Sequence, residues 1–145
     1  MKKTIALSAA AVACGLALAH PSAAVGADSS YPGTAARLNL WVDDNYTTCA
    51  TERASYDANF ANDRCGSGPT SYNLNDKFSS FVNKTADWWV LYENTNYGGG
   101  RLCVRPHSHD NNIGNDTAYE DDISSAEKRG TTKPTGCSDT TGTAN

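Results

Sequence analysis

Two short stretches of the chain repeat the same order of side chains and could bind a cation. Residues 75–80 read NDKFSS, and residues 120–125 read EDDISS. Each offers adjacent carboxylate or amide groups, one large apolar residue and then two serines. Such oxygen atoms are the hard ligands that calcium takes. Because Asn, Asp and Ser are also common turn formers, the alternative is a pair of turns anchored by Phe78 and Ile123.

Few other residues suggest chemistry. His107 and His109 could share one face of a strand and one metal ion, but the sequence defines no third ligand. The chain has no nucleophile elbow, no His-Glu-x-x-His helix and no Cys/His pair at catalytic spacing. Adjacent acids such as Asp43-Asp44 point to opposite sides of a strand, unlike a glycosidase carboxylate pair. We therefore predict that the protein is not an enzyme.

The Trp88-Trp89 pair has two interpretations. On a strand, one ring would pack in the core while the other faces outward. Alternatively, the rings form a stacking platform for sugars, which would attach the protein to a cell wall or another polysaccharide.

The first 27 residues have the pattern of an export signal. Lys2 and Lys3 precede an apolar segment, and residues 25–27 form a small-residue cleavage site. The apolar segment is too short and too rich in alanine for a membrane anchor. Cys14 follows a sequence that weakly resembles a lipoprotein box, so a lipid anchor is the alternative. Because the sequence stays apolar beyond Cys14, we expect a secreted, extracellular protein.

Charge narrows the range of partners. Removal of residues 1–27 leaves 118 residues, which is enough for one domain. The removed segment holds two of the twelve Lys and Arg residues and none of the sixteen acids, so the remaining net charge is −6. This charge disfavours nucleic acid and anionic membrane surfaces as partners. We expect a monomer that does not insert into membranes.

Four cysteines follow the export signal, which in an exported chain indicates two disulfides. Three pairings are possible. We favour Cys49–Cys65 and Cys103–Cys137, because each bridge then stays within one half of the chain. A zinc site is the competing interpretation, but no Cys-x-x-Cys spacing occurs.

The elements that must position these residues are strands. The runs LNLWV, SFV, WWVLY and RLCV are rich in aromatic and branched residues, and clusters of Asn, Asp, Gly and Ser separate them. No stretch keeps apolar residues at helical spacing. Residues 28–37 predict a flexible leader, and residues 129–145 predict a polar tail held only by Cys137.

A second repetition extends the first. Residues 40–46 read LWVDDNY and residues 91–97 read LYENTNY, each with an aromatic residue five positions before a tyrosine. With NDKFSS and EDDISS, this gives two repeats within residues 38–128, at about 38–82 and 88–128. A duplicated unit of about four strands fits a Greek key, and two such units fit a β-sandwich.

These motifs resemble the βγ-crystallin family, whose Greek keys carry aromatic-x4-[Phe/Tyr]-x-Gly early and an Asn/Asp-Asn/Asp-x-x-Ser/Thr-Ser loop late. The second repeat has the early motif complete in Tyr92, Tyr97 and Gly99. The first repeat has its aromatic and tyrosine, but Thr48 stands where glycine belongs. The resemblance implies an all-β, two-Greek-key sandwich whose first hairpin is looser or differently shaped.

The resemblance also implies calcium sites that the two repeats share. In the family, one backbone oxygen comes from the residue after the early aromatic. The late loop adds its second acidic side chain, the next carbonyl and the first serine hydroxyl, and waters complete roughly six to eight oxygens. In this chain the implied ligands are Val42, Asp76, Lys77, Ser79, Glu93, Asp121, Asp122 and Ser124. Ser80 and Ser125 are expected to brace the hairpins.

The export signal, the paired cysteines and the stretch NDKFSSFVNKT resemble the secreted actinobacterial branch of this fold, which includes the streptomycete metalloproteinase inhibitor family. This implies a secreted peptidase inhibitor that blocks an extracellular protease with a rigid exposed loop. The inhibitory contact is unknown from sequence, with residues 50–68 and 105–116 as candidate loops. Two alternatives on the same fold are a calcium-stabilised module for cell-wall or other polysaccharides and a secreted toxin or antifungal protein.

Overall fold

The structure is a computed structural model that describes residues 30–68 and 71–144. The predicted export signal, including Cys14, lies outside the described residues. The described chain forms two five-stranded sheets and one two-stranded sheet, which confirms the all-β prediction. Within it, no helix has the length and apolar character needed to cross a membrane.

The strands of the described residues are mostly short. In chain order they are β1 (Leu38–Asp43), β2 (Thr47–Arg53), β3 (Tyr56–Asp57), β4 (Arg64–Cys65), β5 (Tyr72–Asn73), β6 (Ser80–Asn83), β7 (Trp88–Asn94), β8 (Gly98–Val104), β9 (Ser108–Asp110), β10 (Ser125–Gly130), β11 (Asp139–Thr141) and β12 (Thr143–Ala144). Between them lie 3₁₀ turns at Asp44–Tyr46, Phe60–Asn62 and Thr95–Tyr97, and one short helix, α1 (Ile113–Asp116).

Each large sheet contains strands from both repeats. The first sheet has the order β12-β9-β6-β1-β2, and the second has the order β11-β8-β7-β10-β3. Each repeat thus gives three strands to one sheet and its third strand, β3 or β9, to the other. This exchange is the Greek-key connection expected of a two-motif sandwich. Neither sheet is complete without a strand from the other repeat.

Apolar side chains from both sheets fill one core. Alternate residues of β1, Leu38 and Leu40, share a buried face and join one cluster with Leu91 of β7. Phe78 and Ile123, the apolar residues of the two repeated phrases, are fully buried in the same cluster. The NDKFSS and EDDISS loops therefore anchor themselves in the core, as the turn interpretation predicts.

The two tryptophans of β7 face opposite ways. Trp89 is fully buried, and its indole N–H donates to Thr85 Oγ1 at 3.0 Å. Trp88 is partly buried against a smaller cluster that also contains Cys103, and Lys133 Nζ lies 5.9 Å from its ring centroid. A two-ring sugar platform is therefore wrong, because Trp89 offers no exposed face.

The predicted polar tail is more ordered than its composition suggests. Strand β11 pairs in parallel with β8, and β12 pairs antiparallel with β9, so the tail adds one edge strand to each large sheet. Thr141 is buried, and its hydroxyl donates to Asp110. Backbone groups make most of these contacts, so a polar composition does not prevent them. The prediction that only Cys137 holds the tail is corrected.

The predicted flexible leader is also fixed from Tyr31 onward. The Tyr31 ring stacks on His109 with a centroid separation of 3.8 Å. Lys84 Nζ donates to the carbonyls of Tyr31 and Gly33 at 2.5 and 3.1 Å. The side chain of Asn39 adds hydrogen bonds to the backbone of Thr34. These side chains hold a segment that lacks regular structure.

Each disulfide connects two residues in the same half of the chain. Cys49 is bonded to Cys65 with a Cα–Cα distance of 5.9 Å, and Cys103 is bonded to Cys137 with a distance of 5.7 Å. The first connects β2 to β4, and the second connects β8 to the tail. Each should stabilise the fold by about 2–4 kcal/mol, largely by restricting the unfolded chain.

The burial of Ile123 gives a test of the core. Replacing it with aspartate should lower the free energy of unfolding by more than about 3 kcal/mol, because it buries an unpaired charge. The measurement is urea unfolding, with Tyr56→Asp as the control because Tyr56 is 69% exposed. An unchanged stability of Ile123→Asp would contradict the core position of the EDDISS loop.

Candidate functional site

The NDKFSS and EDDISS loops face each other and exchange hydrogen bonds. The N–H of Asp76 donates to the carbonyl of Ile123 at 3.1 Å, and the N–H of Asp121 donates to the carbonyl of Phe78 at 3.3 Å. Both aspartates have a left-handed backbone, with φ of 53° and 52°, a conformation that Asp tolerates better than most residues. The two phrases therefore form one junction with approximate two-fold symmetry.

Each loop is also fixed to the strand that carries the early aromatic residue of its own repeat. The N–H of Ser79 donates to the carbonyl of Trp41 at 3.0 Å, and the N–H of Ser124 donates to the carbonyl of Tyr92 at 2.8 Å. The residues that follow these aromatics, Val42 and Glu93, are therefore bonded to a carbonyl that lies next to the first serine of a loop. This places the backbone of β1 and β7 next to the loop hydroxyls.

The last serine of each loop braces the folded hairpin. Ser80 Oγ donates to the carbonyl of Asp43 at 2.7 Å and accepts from the N–H of Tyr46 at 3.1 Å. Ser125 Oγ donates to the carbonyl of Asn94 at 2.7 Å and accepts from the N–H of Tyr97 at 3.2 Å. These hydroxyls are occupied by the hairpin backbone, as the sequence predicts for them.

The implied calcium ligands fall into two groups, and each group combines both repeats. The first group lines an open pocket with a volume of about 590 Å³. Four implied ligands lie there: Val42, Lys77, Ser79 and Asp121. Asp121 belongs to the second repeat, while the other three belong to the first. The structure thus brings the loop of one repeat to the strand and loop of the other.

Three further acids line this pocket: Asp43, Asp44 and Glu120. All three are visible in the motifs of the sequence, but the resemblance does not include them in the implied ligand set. One carboxylate oxygen of Asp44 accepts from the side chain of Asn112 at 2.6 Å. The other, Oδ1, is buried and has no hydrogen-bond partner. In the sequence, these pocket acids are signalled by the pair Asp43-Asp44, which ends β1 and begins the following turn.

The second group combines Glu93, Asp122 and Ser124 of the second repeat with Asp76 of the first. Ser124 Oγ donates to Asp76 Oδ1 at 2.7 Å. Burial, with the nearby charges of Glu93 and Asp76, raises the pKa of the Asp122 carboxyl. The Glu93 carboxylate accepts from the N–H of Gly100 at 2.6 Å, which directs this side chain to the hairpin. Excess negative charge is therefore common to both groups.

The donor atoms of both groups fit calcium better than a transition metal. They are carboxylate and hydroxyl oxygens close to backbone carbonyls, without a cysteine thiolate or an imidazole. Within the described residues, no three His, Cys, Asp or Glu side chains cluster closely enough to hold a metal by themselves. A cation here would depend on carbonyl and hydroxyl oxygens and on water.

The two histidines do not form a ligand pair. The His109 ring is stacked on Tyr31, and Nδ1 of His107 is buried without a hydrogen-bond partner. His107 also has a left-handed backbone, with φ of 44°, just before β9. Among the described residues, the surroundings of these two rings provide no group of three metal-binding side chains.

The two folded hairpins differ at the position of the motif glycine. Gly99 of the second repeat has a φ of 75°, and Thr48 takes the equivalent place in the first repeat with a φ of 61°. A left-handed backbone is unfavourable for a β-branched residue. The Thr48 hydroxyl donates to the Asp43 carboxylate, which lines the first pocket. The first hairpin keeps the backbone shape of the second, with a threonine in a strained conformation. The prediction that it is looser or differently shaped is therefore wrong.

Comparisons with known proteins agree with this geometry. Residues 35–104 match the model of peptidase inhibitor family I36. No curated protein sequence matches the chain.

Solved structures with the same fold are βγ-crystallin domains. A structure described as "Evolution of the eye lens beta-gamma-crystallin domain fold" matches 71% of this chain and 94% of its own, with a TM-score of 0.57 and 16% identity. A βγ-crystallin domain from Flavobacterium johnsoniae matches 67% of this chain and 98% of its own, with a TM-score of 0.50 and 21% identity. One from Clostridium beijerinckii matches 66% and 99%, with a TM-score of 0.50 and 17% identity. At these identities the matches show the fold.

The hairpin difference can be tested by exchanging residues between repeats. Thr48→Gly should raise the free energy of unfolding by about 0.5–1 kcal/mol, because relief of the left-handed strain exceeds the entropy that glycine adds. Gly99→Thr should lower it, since even a Cβ would lie 2.7 Å from Asn94 Nδ2 and 2.9 Å from Glu93 Oε2. Thermal unfolding measures both. Two shifts of the same sign would contradict the equivalence of these positions.

Proposed function

We propose that this chain, which carries a peptidase inhibitor family I36 domain on a βγ-crystallin fold, is a secreted inhibitor of extracellular peptidases. The match of residues 35–104 carries the proposal, because it extends from just before β1 to the end of β8. Family and fold point to a non-catalytic protein. Inhibition would therefore come from blocking a peptidase and not from chemistry of its own.

The rigidity of the domain supports this function. An inhibitor keeps its affinity when little conformational freedom is lost on binding. Here two disulfides connect surface segments to β2 and β8. The disulfides also agree with an extracellular location, where such bonds persist.

Calcium is the second part of the proposal. In the first pocket the ion would be held by the carbonyls of Val42 and Lys77, the hydroxyl of Ser79 and the carboxylate of Asp121. In the second group the corresponding ligands would be the carbonyls of Glu93 and Asp122, the hydroxyl of Ser124 and the carboxylate of Asp76. Asp44 lines the first pocket, and its Oδ1 is buried without a hydrogen-bond partner. This supports the assignment, because a cation nearby would offset the charge of that carboxylate.

A bound cation would have a structural effect on the inhibitor. It would neutralise the carboxylates that crowd the junction between the two loops, and it would join strand and loop of different repeats. Calcium stabilises a fold that it binds in preference to the unfolded chain. The proposed role of calcium is therefore to stiffen the scaffold that presents the inhibitory surface.

The calcium proposal predicts a shift in melting temperature. Addition of millimolar calcium to metal-free protein should raise it, and the double variant Asp76→Ala/Asp121→Ala should lose this response, because each substitution removes a carboxylate from one group. Glu52→Ala, an exposed acid on β2, serves as the control and should respond like the parent. Calorimetry that detects no heat of calcium binding would contradict the proposal.

The inhibitor proposal predicts stoichiometric inhibition. Purified residues 28–145 should inhibit at least one member of a panel of secreted metallo- and serine peptidases, with the activity falling linearly to an equivalence point. Heat-denatured and reduced protein serves as the control and should not inhibit. If no panel member is inhibited while the protein is retained on chitin or peptidoglycan, the polysaccharide-binding alternative replaces the inhibitor.

A further inference from the structure

The two repeats are unequal in one segment. Phe60 and Ile113 occupy equivalent places, since their N–H groups donate to the carbonyls of Ser124 at 2.9 Å and Ser79 at 2.8 Å. Each also follows an asparagine that caps its turn with its side chain. From Phe60 to the loop residue Asp76 there are sixteen positions, but from Ile113 to Asp121 there are eight. Between the turn and the loop, the first repeat therefore contains eight additional residues.

The additional residues form the hairpin of β4 and β5. Arg64 pairs with Asn73 and Cys65 pairs with Tyr72. Below this pair, the N–H of Leu74 donates to the carbonyl of Asp63 at 3.1 Å, so the chain leaves and returns at one point. Leu74 and Tyr119 hold equivalent places two residues before the loop aspartates, and both lie in the core. The core positions on either side of the hairpin therefore match those of the second repeat, and Cys65 of the hairpin adds to the same core.

The hairpin is nevertheless firmly held. Cys65 connects it to Cys49 on β2. Arg53, the last residue of β2, forms ion pairs with Asp57 at 2.7 Å and with Asp63 at the base of the hairpin. The Arg53 guanidinium also lies 5.2 Å from the centroid of the Phe60 ring. The segment that is additional to the first repeat is therefore held by a disulfide and an ion-pair network.

The arms of the hairpin expose side chains suited to binding. Tyr72 is 37% exposed, and Arg64 is exposed without an ion pair to any described residue. Tyrosine and arginine are among the residues that contribute most to interface affinity. Arg64 is also an unpaired cation on a domain whose net charge is negative. It therefore fits a partner surface that carries negative charge.

We propose that the arms of this hairpin, residues 64–68 and 71–73, are the surface that contacts the peptidase, a proposal that rests on the inhibitor function proposed above. Arg64 and Tyr72 are the main contacts, and they enter a substrate cleft that accepts a basic and an aromatic side chain. The disulfide and the Arg53 network fix the arms before binding, which limits the entropy lost on complex formation.

The other candidate loop is less suited to this role. Residues 105–116 contain β9 and α1, and Ser108, Asp110 and Ile113 are buried. Strand β9 belongs to the first large sheet, and the N–H of Ile113 donates to the carbonyl of Ser79 beside the loop junction, so this segment belongs to the scaffold. It also has an equivalent in the first repeat, whereas the β4–β5 hairpin has none in the second.

The first test removes the hairpin at its closed base. In one variant, two glycines replace residues 64–73, and Cys49→Ser removes the unpaired thiol. The control variant, Cys49→Ser/Cys65→Ser, keeps the hairpin without its disulfide. Against each panel peptidase that the full chain inhibits, the deletion should raise the inhibition constant at least about a hundredfold, and the control should raise it much less. Near-ultraviolet circular dichroism checks that both variants are folded.

The second test uses surface substitutions that leave the fold intact. Tyr72→Ala and Arg64→Ala should each raise the inhibition constant at least about tenfold. The matched controls are Tyr56→Ala, which removes a more exposed tyrosine on β3, and Lys133→Ala, which removes an exposed cation of the tail. Both controls should inhibit like the parent.

The outcomes separate the two proposals. A full chain that inhibits no panel member overturns both the inhibitor function and the hairpin contact. A folded deletion variant that inhibits as well as the full chain, or no better and no worse than the disulfide control, overturns the hairpin contact alone. Equal losses for Tyr72→Ala and Tyr56→Ala also overturn it, because the contact would then not be specific to the hairpin.

Discussion

The exchange of hydrogen bonds between the NDKFSS and EDDISS loops is the contact on which the rest of the structure depends. Each loop supplies a donor and an acceptor to the other, so neither loop is satisfied alone. At this junction Phe78 and Ile123 enter the core, and the adjacent serines bind the strands β1 and β7. The same contact brings acids of opposite repeats together. The core, the folded hairpins and both acidic groups are therefore positioned by this one contact.

Much of this arrangement could be predicted from the sequence, because the repeated residues each have a specific structural role. The left-handed positions fall on Asp76 and Asp121, and the bracing hydroxyls fall on Ser80 and Ser125. Alternation along β7 likewise separates Trp88 from Trp89. Each of these side chains acts close to its own backbone, so spacing alone is sufficient to assign its role.

The remaining features depend on contacts that composition does not reveal. The tail pairs through its backbone, and the leader is held by distant side chains such as Lys84. The hairpin insertion is visible in the spacing, since 35 positions separate Trp41 from Asp76 while 29 separate Tyr92 from Asp121. The difference is smaller than eight because the second repeat is two residues longer before its turn. That difference could be noticed in the sequence, but its meaning required knowing that Leu74 and Tyr119 are equivalent in the core.

The leader and the tail also end at the same place. The Tyr31 ring rests on His109, and Thr143 pairs with the backbone of that same residue. The two ends of the described domain therefore both contact β9 and lie close together. Such a unit suits circular permutation or insertion as a cassette into a surface loop of another protein. A host chain could enter and leave at β9 without separating the two sheets.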